Sequence, residues 1–233
     1  MRRLLRGLYR YFVPLPVPPC EPETLDLLSA VLRPDSNVVD AGANRGSILQ
    51  EIVRLAPRGR HLAFEPNPML FRNLRRAWPA VDVRRLALSD QAGRATFHLY
   101  TNFDGFSGFE PHRDVGGGDV RVIDVETARL DDVLPKDTQV DLIKIDVEGA
   151  EYRVLQGARA TLARCRPIVV FECGKGGLDL YGTDPTQIVT LLESLGLKVK
   201  PLIGWRTAPP VTPEQFRVMF DSGAHFMWVA LKP

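Results

Sequence analysis

The chain lacks the features that mark several classes of protein. Only three of its 233 residues are cysteines, at positions 20, 165 and 173, and no CxxC pair occurs. This pattern argues against a disulfide framework and against a zinc ribbon. No apolar run reaches the ~18 residues that a membrane-spanning helix needs, and arginines interrupt the first leucines, unlike in a signal peptide. We therefore predict a cytoplasmic protein with reduced thiols.

A large excess of charge of one sign is also missing. Lys and Arg total 30 against 28 Asp and Glu, so the formal net charge is only +2, and we predict no nucleic-acid partner. Hydrophobic residues make up 45% of the chain and charged residues 25%, which is typical of a globular protein. The length suits one domain of ordinary size.

The first 20 residues are predicted to form a segment separate from a single domain of residues 21–233. At about 100° per residue, Arg2, Arg3, Arg6 and Arg10 share one side of a short helix over residues 1–12. The prolines at positions 14, 16, 18 and 19 then form a stiff linker. Two interpretations stay open. The helix contacts an anionic membrane, or it packs on its own domain or a second subunit, or frays.

From residue 21 onwards, predicted helices alternate with buried strands. The predicted helices cover residues 23–32, 47–56, 69–78, 150–163 and 185–195. The predicted strands cover residues 37–41, 61–65, 81–88, 94–100, 120–125, 140–145, 167–172, 197–202 and 225–231. This alternation indicates right-handed crossovers and a mostly parallel sheet that is covered by helices on both faces.

One long stretch, residues 101–119, carries no predicted element and is rich in glycine. A loop of this length inside a compact domain is usually functional or disordered. It contains the aromatic residues Phe103, Phe106 and Phe109 as well as His112. We interpret it either as a lid whose aromatic rings stack on an acceptor, or as a disordered surface loop.

The first predicted strand ends in a turn that is suited to a ligand. Asp40 closes the strand, and Gly42 and Gly46 follow before a helix begins. Glycines let the backbone bend sharply and let a ligand approach it closely. A dinucleotide site would have the pattern GxGxxG, but Asn44 stands where its second glycine would be. The turn therefore disfavours a diphosphate ligand.

The next two strands end in residues that suit a nucleoside. Glu65 lies 19 residues after Gly46, close to the ~20-residue spacing at which a carboxylate binds ribose hydroxyls. Pro66 stiffens the turn that presents it. Ala87 and Leu88 are predicted to flank an adenine, and either Ser89 or Asp90 to bond its polar edge. An ordinary turn at residues 87–90 is the alternative.

The later strands carry the candidate acid–base groups. Lys144 and Asp146 share one face of the strand over 140–145, and Lys144 is predicted to have a functional or ion-paired role. Glu172 ends the following strand, so the two carboxylates are expected to divide into a base and a binding group. We rank Asp146 first as general base, Glu172 second and His225 last. Glu148 and Glu151 are assigned to the start of a helix.

Six segments in this order are similar to the FkbM family of S-adenosylmethionine-dependent methyltransferases. The resemblance extends from residue 37 to residue 197. The segments are VVDAGANRG at 38–46, AFEPNP at 63–68, LALSD at 86–90, LDDVL at 130–134, DLIKIDVEGAEYRVLQGA at 141–158 and PIVVFE at 167–172. Residues 1–20 and 205–223 lie outside it.

The resemblance implies a fold, a reaction and a distribution of roles. The fold would be the three-layer, Rossmann-like α/β fold of class I methyltransferases, with a seven-stranded, mostly parallel sheet whose last strand is antiparallel. The reaction would be O-methylation of a small hydroxylated acceptor, such as a sugar or polyketide. Asp40, Gly42, Asn44 and Gly46 would surround the methionine part of the cofactor. Glu65 would bind the ribose, residues 87–90 the adenine, and Asp146 would lie near the methyl group.

Several points stay open at this stage. We assign no metal ligands, although a divalent ion at Asp146 and Glu172 in place of a base is not excluded by the sequence. A nucleotide-dependent oxidoreductase and a non-catalytic cofactor-binding module are the competing hypotheses. The identity of the acceptor and the oligomeric state do not follow from the sequence.

Overall fold

A computed structural model describes residues 21–100, 104–111 and 120–233. Within these ranges the α-helices are α1 Pro22–Val31, α2 Ser47–Leu55, α3 Pro68–Ala77, α4 Leu130–Val133, α5 Glu151–Gly157, α6 Arg159–Cys165, α7 Thr186–Ser194 and α8 Pro213–Ser222. The strands are β1 Val38–Ala41, β2 His61–Phe64, β3 Asp82–Arg84, β4 Ala87–Leu88, β5 Gly93–Tyr100, β6 Val120–Ala128, β7 Leu142–Ile145, β8 Ile168–Glu172, β9 Lys198–Pro201 and β10 Met227–Leu231. Asp104–Phe106 and Leu178–Tyr181 form short 3₁₀ turns.

Some predictions fall outside these ranges. They are the N-terminal helix and its linker, the domain boundary at residue 20, Cys20, Phe103 and His112. Cys165 and Cys173 are buried and carry free thiols, as expected. None of the described helices is both long and apolar enough to cross a membrane.

Seven strands form one sheet in the order β3-β2-β1-β7-β8-β10-β9. All neighbours are parallel except β10, which runs antiparallel to both β8 and β9. Ala41, the last residue of β1, pairs with Phe64 of β2 and with Ile145 of β7. The chain therefore leaves these three strands at the same level, and the residues that follow meet at one edge of the sheet. This topology confirms the predicted fold class.

The central strands are buried on both faces, as in other parallel sheets. Successive side chains point to opposite sides, so Val38 belongs to the core cluster with residues of α1 and α2, and Val39 to the cluster with residues of α5 to α8. Two hydrophobic clusters separated by the sheet make up most of the core. Because the core holds the strands rigidly, their carboxyl ends are a fixed frame for a site.

A second, three-stranded sheet has the order β4-β6-β5. The predicted strand over residues 81–88 is therefore two strands, because Arg84 ends β3 beside β2 and Ala87 begins the pairing of β4 with β6. Part of the predicted loop is anchored to this sheet. Gly108 forms a bridge with His98 of β5, and the Phe109 N–H donates to the Tyr181 hydroxyl at 3.1 Å.

Three helical regions also differ from expectation. The short helix α4 was not predicted. The predicted helix over 150–163 is interrupted at Ala158, between α5 and α6. The last residue of α5, Gly157, lies so close to the Ser89 carbonyl that a Cβ atom would be 2.0 Å from its oxygen. Helix α8 was not predicted. It begins after Thr212, which forms a reciprocal capping box with Gln215.

Candidate functional site

A cavity of about 760 Å³ opens at the carboxyl edge of the seven-stranded sheet. Its wall is formed by residues that follow β1, β2, β7 and β8, together with β4, the start of α1 and the segment 105–109. Open α/β sheets bind their ligands at this edge. Among the predicted site residues, the wall contains Gly42, Asn44, Glu65, Pro66, Ala87, Leu88, Asp146 and Glu172.

The turn after β1 has a backbone that few residues can adopt. Gly42 has a φ of +76°, and a Cβ atom there would lie 1.9 Å from the Asp146 carbonyl oxygen. Asn44 also lies in the left-handed region, with a φ of +48°. Asparagine tolerates this region better than most non-glycine residues. Asn44 thus gives the turn a glycine-like backbone shape at the position where the GxGxxG pattern has its second glycine.

Glu65 is buried at the end of β2 and faces this turn. One carboxylate oxygen accepts the Asn44 N–H at 2.8 Å, and the other accepts the Asn67 N–H at 2.8 Å. Burial raises the pKa of Glu65 to about 7, although the two N–H groups oppose the shift. A carboxylate has about four acceptor positions. Each oxygen therefore keeps an acceptor position for a further donor in the cavity.

Lys144 connects two sides of the site. Its buried ammonium group donates to the Gly42 carbonyl at 2.7 Å and forms ion pairs with Asp40 at 3.5 Å and Asp146 at 3.3 Å. Burial would lower the pKa of Lys144, but the charges of Asp146 and Asp40 raise it above its usual value. The expected ion-paired role of Lys144 is thus present in the structure.

Three carboxyl groups meet beyond Lys144. Asp146, Glu148 and Glu172 each place one oxygen within 4.8 Å of the others. Burial, followed by the charge of Asp146, raises the pKa of Glu172 to about 10. Burial also opposes ionisation of Asp146, but Lys144 and a hydrogen bond from Glu172 outweigh it and lower its pKa. Near neutral pH, Asp146 is therefore ionised and Glu172 carries a proton.

The family model described as "Methyltransferase FkbM domain" matches residues 40–199, from the end of β1 into β9. The chain belongs to the FkbM methyltransferase family. The predicted family is thereby confirmed, and with it S-adenosylmethionine as the cofactor of the family.

Relatives of this FkbM-family chain include enzymes named for O-methylation. It is 34% identical to 2-O-methyltransferase NoeI of Sinorhizobium fredii, over 60% of this chain and 64% of NoeI. It is also 34% identical to 31-O-demethyl-FK506 methyltransferase FkbM of Streptomyces tacrolimicus, over 72% and 75%. A match to AMB antimetabolite synthetase AmbE of Pseudomonas aeruginosa has 34% identity but spans only 8% of that protein. The chain thus spans less than two thirds of AmbE and NoeI.

A solved structure shares the fold. Methyltransferase FkbM from Methylobacillus flagellatus superposes with a TM-score of 0.55 at 18% identity, over 96% of this chain and 50% of that one. At this identity the likeness concerns the fold alone, and it agrees with the class I methyltransferase topology derived above.

Four predicted cofactor residues lie outside the cavity wall. Asp40 is buried behind it, in its ion pair with Lys144. Gly46 packs against Trp78. The Ser89 hydroxyl donates to Asp90 at 3.0 Å. These two residues are turned away because the Ser89 backbone bonds to Ala128, at the end of β6, instead of continuing along the main sheet.

His225 does not line the cavity either. Its ring lies 5.7 Å from that of Trp228, which fits a structural role. The aromatic residues of the wall are Phe64, Phe97, Phe106, Phe109 and Phe226. Phe226 was missed because its place depends on tertiary packing, with its ring against Gly174, the second residue after Glu172.

Glu148 was also misassigned. Its acidic side chain predicts a place at the start of a helix, but Glu148 lines the cavity with a left-handed φ of +57°. Burial and the charge of Asp146 raise its pKa to about 8. A non-glycine residue held in this region is typical of functional sites. The position of Glu148 in the DVEG segment was the sequence signal for such a site, and hydrophobic periodicity alone does not reveal it.

The three carboxyl groups are the one cluster in the described part of the chain that could hold a metal ion. Oxygen ligands of this kind suit Mg²⁺ or Ca²⁺. However, ligands must be deprotonated to bind a metal, and two of the three groups hold protons near neutral pH. In this protonation state, the three carboxyl groups favour a shared proton over a bound metal ion.

Proposed function

We propose that this chain transfers a methyl group from S-adenosylmethionine to a hydroxyl oxygen of an uncharged small molecule, such as a sugar or a secondary metabolite. Membership of the FkbM family supports the reaction class, and the names of NoeI and of the Streptomyces FkbM support oxygen as the methylated atom. The observation that carries the proposal is a single cavity that joins Glu65 to the Asp146–Glu172 pair.

The cofactor side of this cavity fits a ribose. The two oxygens of Glu65 each have one backbone donor and an acceptor position left for a ribose hydroxyl. Leu86, Ala87 and Leu88 supply an apolar wall next to Glu65 that suits an adenine. These contacts would hold the nucleoside across the ends of β2 and β4. The cofactor supplies a methyl group that its sulfonium already activates for displacement.

The base in our proposal is Asp146. A hydroxyl oxygen becomes strongly acidic as it gains a methyl group, so a carboxylate within hydrogen-bond reach suffices to accept its proton. Asp146 has the required charge, because Lys144 and the protonated Glu172 both stabilise it. Glu172, which holds its proton to a pKa of about 10, would orient Asp146 or donate to the acceptor. Aligning the acceptor oxygen with the methyl group is the other main contribution of the site.

The same end of the cavity selects against anions. An acceptor with a carboxylate or phosphate would meet the ionised Asp146, whose neighbouring cation Lys144 is already bound in ion pairs. Phe106 and Phe226 line the same cavity and are 42% and 52% exposed. Exposed phenyl rings suit the apolar face of a sugar or another ring. We therefore propose a neutral, ring-containing acceptor.

A methyl-transfer screen with labelled S-adenosylmethionine tests the proposal. The acceptor panel would contain neutral glycosides and polyketides together with their carboxylated counterparts. We expect label only in the neutral set, and tight binding of S-adenosylhomocysteine by calorimetry. Binding of NAD without binding of S-adenosylhomocysteine would instead establish an oxidoreductase. Cofactor binding with no methylated acceptor would favour a non-catalytic module.

Contact of residues 1–12 with a membrane stays a separate prediction. Sedimentation with anionic liposomes would compare the full chain with a full-length variant in which Arg2, Arg3, Arg6 and Arg10 are serine. We expect the variant to pellet less, because each basic residue near an anionic surface contributes about 1 kcal/mol. Equal pelleting would contradict the prediction.

A further inference from the structure

Helix α1 precedes residues 40–199, over which the family model matches, yet it reaches the cavity. Thr24, Leu27 and Leu28 follow one another at helical spacing and are 1%, 0% and 1% exposed. Leu27 and Leu28 pack on Val38 and Ile52 beneath the sheet. Thr24 is the polar member of this buried stripe, and it lies where the stripe meets the cavity wall.

The Thr24 hydroxyl has no hydrogen-bond partner among the described residues, and its oxygen is buried. Leaving a buried hydroxyl without a partner destabilises a folded protein. A valine would fill nearly the same volume without this cost. The hydroxyl therefore adds nothing to the packing of α1 itself, and Thr24 borders the cavity, so we consider a ligand bound there as its partner.

The position of Thr24 indicates which part of a ligand it would meet. It shares the cavity wall with Asn44, Arg45 and Ser47, which belong to the turn after β1 and the start of α2. In the function proposed above, Glu65 and residues 86–88 hold the nucleoside on one side of β1, and Asp146 lies by the methyl group on the other. The amino-acid end of the cofactor is then left to the turn after β1 and to α1.

We infer that Thr24 is a cofactor-binding residue whose hydroxyl bonds the amino-acid end of S-adenosylmethionine. This inference rests on the proposed function. A hydroxyl can donate to the carboxylate of that end or accept from its ammonium group, and both bonds are strengthened by the charge of the ligand. Helix α1 would thus complete the cofactor site from outside the matched FkbM region.

A buried threonine with a structural role provides the matched control. Thr161 is 3% exposed, and its hydroxyl donates to Asp131 at 2.8 Å within the fold. Thr161→Val and Thr24→Val make the same chemical change, but only the former removes a hydrogen bond of the ligand-free protein. The two variants are therefore expected to behave oppositely.

The experiment measures two quantities on the full chain. One is the melting temperature without ligand, and the other is the calorimetric affinity for S-adenosylhomocysteine and for 5′-methylthioadenosine, which has the same nucleoside but no amino-acid end. For Thr24→Val we expect a melting temperature unchanged or raised by about 2–4 °C. We expect about tenfold weaker binding of S-adenosylhomocysteine and unaltered binding of 5′-methylthioadenosine. Thr24→Ser should restore the affinity for S-adenosylhomocysteine.

Thr161→Val should instead melt about 2–4 °C lower and bind both ligands like the wild type. If Thr24→Val binds S-adenosylhomocysteine as tightly as the wild type, or loses affinity for both ligands equally, the inference is wrong while the proposed function stands. If the wild type binds neither ligand, the proposed function itself fails.

Discussion

The two ends of the cavity are built from different kinds of group. At the cofactor end, the backbone defines the site, through the left-handed turn at Gly42 and Asn44 and the N–H groups that hold Glu65. At the acceptor end, titratable side chains define the site. Asp146, Glu148 and Glu172 interact there through charge and a shared proton. The shape of the first site is fixed by folding, with Glu65 as its titrating group, whereas the second site depends on the protonation of several interacting carboxyl groups.

Lys144 is the group that both ends share. It binds the Gly42 carbonyl at the cofactor end and Asp146 at the acceptor end. Because the two ends differ in this way, we expect that binding of the cofactor and activation of the acceptor can be disturbed separately, except at Lys144. Single substitutions should therefore disturb one end alone or, at Lys144, both ends together.

Asp146→Asn should separate the two ends most clearly. The amide keeps the size of the side chain but cannot accept the acceptor's proton, so kcat should fall about 10²–10⁴-fold. The affinity for S-adenosylhomocysteine should stay within about threefold of the wild type, because Glu65 and its backbone donors are untouched. Steady-state kinetics and calorimetry measure the two effects. A parallel loss of both would mean that Asp146 acts on the cofactor and is no base.

Lys144→Met should damage both ends at once. Removing one partner of a buried ion pair leaves an uncompensated charge and typically costs about 3–5 kcal/mol, here because Asp40 is 1% exposed. Denaturant unfolding monitored by circular dichroism would report the loss. The control is Arg217→Met, which breaks the more exposed pair with Asp221 and should cost less than about 1 kcal/mol. Similar losses for both variants would show that the buried pair contributes little.

Glu65→Gln tests the cofactor end alone. A glutamine has only one acceptor oxygen, so it cannot satisfy both backbone donors and two ribose hydroxyls. We expect the affinity for S-adenosylhomocysteine to fall about 100-fold, since two bonds to a charged group are affected. Calorimetry with S-adenosylhomocysteine would measure this loss. Wild-type affinity in this variant would remove Glu65 from the cofactor site.

The same difference between the ends explains how much of each could be predicted from the sequence. The strands β1, β2 and β7 are short, mostly apolar and buried throughout, and Glu65 lies only 19 residues after Gly46, so periodicity and motif sufficed. The split of residues 81–88 between two sheets was missed, because β4 finds its partner β6 about forty positions later in the chain.

The acceptor end was predicted in two of its three members. Asp146 and Glu172 were expected to divide into a base and a binding group. Their pKa values shift in opposite directions, down for Asp146 and up for Glu172, and the two roles stay a prediction. Glu148 was assigned to a helix because acidic residues favour helix starts, and only the folded turn reveals its left-handed backbone. Thr24 could not be distinguished from an ordinary helical threonine until the cavity was seen.

The pH dependence of cofactor binding follows from Glu65. Its pKa in the free protein is raised to about 7, and ribose hydroxyls bond best to the ionised carboxylate. Affinity should therefore rise with pH, by about tenfold between pH 6 and pH 8. Calorimetry with S-adenosylhomocysteine across this interval would check it. Glu65→Gln should show no such rise, whereas an equal slope in this variant would assign the effect to another group, such as Glu148.

Phe226→Ala should have the smallest effect and should be confined to the acceptor end. The ring is half exposed at the cavity, and loss of stacking on one ring face is worth about 1 kcal/mol, or about fivefold in affinity. We therefore expect about a fivefold higher KM for the neutral acceptor found in the screen, with kcat and S-adenosylhomocysteine binding unchanged. Phe226→Tyr should restore the KM, because it keeps the aromatic face. A weaker affinity for S-adenosylhomocysteine in Phe226→Ala would instead place this ring at the cofactor end and contradict the separation of the two ends.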